Sequence, residues 1–127
     1  MTSVLNVDTI AAKNGTDPVA LTKQSAAKAW INFDGTSTGA VSTYARDSFN
    51  ASVITDSGTG DYVIGYTNVF ANADYSPSGV IGGTTGAPRD LTVRSFATSS
   101  MALYTTNSSE VVFDCDTICL SFHGDLA

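Results

Sequence analysis

From Ala29 to the C-terminus the chain breaks into short runs of alternating apolar and polar residues, separated by clusters of Gly, Ser, Asn and Asp. A period of two sends successive side chains to opposite faces, so each run suits a strand with one buried face. The closely spaced turn residues favour antiparallel neighbours over helical crossovers. The pattern predicts an all-β chain, an antiparallel β-sandwich of about seven strands over residues 29–127.

In the first run, Ala29, Ile31 and Phe33 share a face. Val41–Arg46 reads as a strand or an extended loop. The clearest unit is a hairpin: Phe49, Ala51, Val53 and Thr55 alternate on one arm, Asp56–Asp61 supplies the turn, and Tyr62, Ile64, Tyr66 and Phe70 share a face on the return. Pro77 interrupts 74–81 and marks an edge strand or bulge, since proline donates no ladder bond. Leu91–Phe96 and Met101–Tyr104 form a second hairpin about Thr98-Ser99-Ser100. Val111–Phe122 reads as one long final strand, apolar on both faces and therefore central or between subunits.

Residues 1–28 differ. Val4–Ile10 alternates as a short strand, 13–18 is dense in turn residues, and 18–29 has helical propensity but little apolar face of its own. This leader needs a partner to be ordered, and Val4, Leu5, Val7 and Ile10 are its candidate anchor or subunit-contact residues. It has neither the basic nor the apolar region of an export signal, and no stretch approaches the ~18 apolar residues of a membrane helix. Membrane insertion is not expected.

A chain of 127 residues is long enough for one core without metal or disulfide staples. Charged residues are only 14% and Ser plus Thr make up about a quarter, so the surface is rich in hydroxyls. Twelve acidic against six basic residues give a net charge of −6, which argues against a phosphate-neutralising face for nucleic acid.

The side chains that could carry chemistry are sparse. Cys115 and Cys119, if both lie in one strand, stand ~13 Å apart, too far for a disulfide. The only histidine, His123, has Asp125 nearby but no nucleophile elbow to serve. Gly79–Gly86 lacks the Gly-Lys-Ser/Thr ending of a phosphate loop, and Asp56–Asp61 lacks the ligand order of a calcium loop. Asp114 and Asp116 read as a solvated pair rather than a metal site. No catalytic residue, metal or cofactor is expected. Of the aromatic residues, most fall in strand patterns and belong to the core; Tyr75, beside Pro77, and Arg89 are the candidates for exposed binding.

Three stretches carry a resemblance: Ser3–Ile10 followed by Gly15 and Pro18-Val19; Ala27–Thr36 followed by Arg46–Tyr62; and the ending Phe122-His123-Gly124-Asp125. Together they resemble small tail-fibre and other appendage proteins of tailed bacteriophages, especially those of marine bacteria. The resemblance spans nearly the whole chain. It implies a virion structural protein, commonly a homotrimer, attached to capsid or tail proteins through its leader (1–28) while the β domain (29–127) points outward to the host surface and its glycans. It implies no enzyme activity. The reading from a different class is a lectin-like carbohydrate-binding module, which requires two or three aromatic side chains exposed on one face.

Overall fold

The computed structural model describes residues 26–37, 39–40, 44–83 and 86–127; the leader contacts expected at Val4, Leu5, Val7 and Ile10 lie outside these residues. The described chain is all β, with nine strands: β1 (Ala29–Phe33), β2 (Gly39–Ala40), β3 (Ala45–Phe49), β4 (Ala51–Gly58), β5 (Asp61–Tyr66), β6 (Ser76–Gly82), β7 (Arg89–Ala97), β8 (Ser100–Asn107) and β9 (Thr117–His123). They form two antiparallel sheets, one ordered β3-β1-β9-β6 and the other β2-β4-β5-β8-β7.

Alternation explains the sandwich. Ala29, Ile31 and Phe33 from β1 and Ile118, Leu120 and Phe122 from β9 meet Ile54, Tyr62, Ile64, Met101 and Leu103 from the second sheet in one buried cluster. Each large side chain removed from water here contributes about 1.5–3 kcal/mol. Aromatic rings close one end: Tyr75 stacks on Phe70 at 4.3 Å, and Tyr66 meets Phe70, Tyr75 and Phe122 edge-on at 4.9–5.7 Å.

β6, with Pro77, is an edge strand as expected, and β9 is central. Both hairpins form, β4–β5 and β7–β8. Three expectations change. The strands number nine rather than about seven, because the 39–49 region supplies both β2 and β3. On β4 the buried residue is Ile54, while Val53 and Thr55 face out; a register shift between Ala51 and Val53 reverses the parity.

The run Val111–Phe122 is not one strand. Only Thr117–His123 pairs as β9. Residues 107–113 turn back along β8 through a left-handed Glu110 (φ 61°), with Val112 bridged to Thr106 and the Phe113 N–H donating to Thr105 O at 3.0 Å. Asp114 then points at the β4–β5 turn, where its carboxylate takes donors that a strand position would not meet. Cys115 and Cys119 are both free thiols, but Cys115 is buried whereas Cys119 sits on the outer side of β9, so they do not share a face.

Candidate functional site

The outer face of the four-stranded sheet can be assembled row by row from its register. Alternate residues opposite the buried set of β1 and β9 face outward, so Phe49, Trp30, Ser121 and Ser78 form one row across the sheet. The next contains Asp47, Asn32, Cys119 and Val80. Ser78 and Ser121 hydroxyls are 2.9 Å apart. Between the rows lies a shallow depression of about 600 Å³ with Trp30, Asn32, Ser78, Val80, Cys119 and Ser121 in its lining.

The face is apolar at its flanks. Val80 is 68% exposed and Phe49 is 53% exposed, on opposite edge strands. Trp30 is half-buried between them in the pairing order. Across the face, apolar side chains thus alternate with the hydroxyls of Ser78 and Ser121 and the amide of Asn32.

One end of the face is fixed by Arg46. The register shift between Asn32 and Phe33 makes Arg46 the extra residue of a bulge, which aims its guanidinium along the sheet end. Its Nη1 donates to Asn32 Oδ1 and Phe33 O, both at 3.2 Å, and its Nη2 donates to Asp116 O at 2.5 Å. Asp34 lies 3.8 Å from the same guanidinium. The Thr36 hydroxyl and backbone N–H, which donate to the Asp34 carboxylate, hold Asp34 below the usual carboxylate range, and Arg46 adds to the effect.

Tyr75 is not an exposed binding residue: it is 4% exposed, its ring packed against Phe70 and Phe122 and its hydroxyl donating to backbone carbonyls, Ser100 O at 2.9 Å and Ala97 O at 3.1 Å. Pro77 did not place it on a free edge because Tyr75 precedes β6 and folds under the β7–β8 turn. Arg89 is half-buried, its guanidinium 4.4 Å from the Phe113 ring and its Nη1 donating to Pro88 O. The two candidates are therefore not brought together on the Trp30 face. That face was nonetheless legible in part, since Trp30 and Asn32 alternate with the buried Ala29, Ile31 and Phe33. Its other members come from β3, β6 and β9, and no local pattern links them.

Tyr62 and Tyr66 are buried as expected of core residues, and their low-dielectric surroundings push both phenols well above the ordinary tyrosine range. Among the described residues no group of three or more His, Cys, Asp and Glu side chains converges to hold a metal. Asp114 faces the Gly60 N–H and Tyr62 hydroxyl rather than forming an outward pair with Asp116.

No family model, characterised protein or solved structure matches the chain. The outer face offers apolar contact area, hydroxyl and amide groups, and one clamped arginine.

Proposed function

We propose that the chain is a structural protein of a bacteriophage particle: a short homotrimeric fibre, spike or capsid or tail appendage. Residues 1–28 attach it to other virion proteins, and the β domain faces the host surface. The observation that supports this reading best is the division of the large apolar residues. Tyr75, the tyrosine that a lectin was most expected to display, lies in the core with Tyr62 and Tyr66, while Phe49 and Val80 flank an outward sheet face suited to contact with another protein. Among the described residues the outer edges of β3, β6 and β7 pair with no further strand, which fits the same reading, since unpaired edges in an isolated chain invite uncontrolled pairing.

The test is quantitative mass spectrometry of purified particles of the phage that encodes the chain. A fixed copy number per particle in a multiple of three is expected; absence from washed particles contradicts the reading.

Carbohydrate binding is the second reading, and one arrangement favours it. The Trp30 indole shares a row with the Ser121 and Ser78 hydroxyls, next to the Asn32 amide, which together offer a stacking surface and polar groups for a sugar ring. Titration with host-surface oligosaccharide, followed by Trp30 fluorescence, separates the two: saturable quenching or a blue shift supports the lectin, and a flat titration counts against it.

A further inference from the structure

The outer face of the four-stranded sheet presents Trp30, Phe49, Val80 and Cys119, and nothing among the described residues has been assigned to cover it. The chain outside the described residues ends beside it. Residues 1–25 join the described chain at Ala26, and the Lys28 N–H donates to Phe122 O at 2.7 Å, one residue before β1 and two before Trp30. That upstream segment contains the apolar cluster Val4, Leu5, Val7 and Ile10, with Asp8 as its only charged residue between positions 4 and 10.

Reach is not limiting. Residues 11–25, when extended, span up to ~50 Å. Four strands ~4.8 Å apart make a face only ~15 Å across. A leader that starts at the rim of one copy's sheet can therefore cross to the equivalent face of an adjoining copy.

We propose that residues 4–10 of one copy lie on the outer face of the four-stranded sheet of an adjoining copy, seating their apolar side chains against Trp30 and Val80. This rests on the assembly reading given above and names the surface through which the leader makes its subunit contact. A closed ring of such exchanges gives every copy one covered face and one engaged leader, as a cyclic oligomer requires.

Trp30 is the chain's only tryptophan, so its fluorescence reports on this face directly. The full-length protein is compared with the full-length Leu5→Asp/Val7→Asp variant and, from the opposite side of the contact, with Val80→Asp. Each is measured by light scattering and by iodide quenching of Trp30, with the near-ultraviolet circular dichroism of the buried tyrosines as the check on the core. In the wild-type oligomer Trp30 is expected to be shielded; both variants raise its quenching constant several-fold, shift its emission to the red and lower the mass toward one chain, whereas variants that open Trp30 at unchanged mass place the leader on its own copy's sheet and overturn the exchange. A wild-type oligomer whose Trp30 is as open to iodide as that of the variants overturns the leader contact and leaves assembly standing. A wild-type monomer removes the assembly reading and the exchange with it. Shielding of wild-type Trp30 only on addition of oligosaccharide gives the face to a sugar and overturns the leader as its occupant.

Discussion

The phenol oxygen of Tyr62 lies 2.7 Å from Asp114 Oδ1, and through this contact the end of the sandwich opposite the aromatic cluster is tied together. The same carboxylate oxygen accepts from the Gly60 N–H at 2.6 Å, and the Tyr62 hydroxyl is 2.8 Å from Gly35 O. A phenol has one proton, so Tyr62 divides it between a carbonyl and a carboxylate. Three loops, 34–37, 58–60 and 113–116, thus converge on two side chains.

Asp114→Ala is expected to lower stability by about 1–3 kcal/mol, because it leaves the Gly60 N–H without its acceptor in a partly buried site, while the Tyr62 hydroxyl keeps only Gly35 O. Tyr62→Phe keeps the edge-on contact with Phe33 at 5.5 Å and is expected to cost less, about 0.5–1.5 kcal/mol. A double-mutant cycle by urea unfolding should return a coupling above ~0.5 kcal/mol; additive effects would dissociate the pair.

Alkaline pH should unfold the protein steeply. Burial raises the folded-state pKa of Tyr62, Tyr66 and Tyr75, so each favours its neutral form more in the folded chain than in the unfolded one. Their contribution is present in full below the unfolded tyrosine value near ~10 and is lost as pH rises above it, by up to ~1.4 kcal/mol per pH unit for each group. The urea midpoint is expected to fall sharply above about pH 10, with tyrosinate absorbance from these three rings appearing together with unfolding rather than before it.

Tyr75→Ala should be among the most damaging substitutions in the chain, costing about 3–5 kcal/mol through the cavity it leaves beneath Phe70, Phe96 and Phe122. Tyr75→Phe keeps the ring and loses its bonds to Ala97 and Ser100, for about 1 kcal/mol. A thermal midpoint unchanged by Tyr75→Ala would contradict the burial.

The positions of Tyr75 and Trp30 show what the sequence could carry. Strict alternation identified the inward residues of β1, β5 and β9, because a period of two fixes side-chain direction wherever pairing is regular. It failed at irregular pairing: the shift after Ala51 turned Ile54 inward, and Asp114 and Glu110 ended the run that looked like a continuation of β9. Tyr75 was misplaced because, apart from nearby Phe70, the groups that enclose it belong to β5, β7, β8 and β9, which no local pattern links to it. The outer face was legible only at Trp30 and Asn32, since its remaining members meet through a sheet order that no local pattern encodes.

Gly60 and Gly82 should respond oppositely to alanine. Gly60 has φ +64°, and a Cβ there would lie 2.5 Å from Thr105 O and 2.7 Å from Phe113 N, both backbone atoms. Gly60→Ala is expected to cost more than ~2 kcal/mol, from left-handed strain and the steric clash together. A Cβ on Gly82 meets nothing within 4 Å, so Gly82→Ala should stay within ~0.5 kcal/mol of wild type. Thermal unfolding of the two variants side by side checks the contrast.

The most direct test of the central claim, that this sandwich is built to assemble through its outward face, is the native mass of the full-length protein by light scattering behind size exclusion. A mass of three chains is the expected result, with Val80→Asp lowering it toward one. A well-folded monomer at every concentration, unaffected by Val80→Asp, would contradict it.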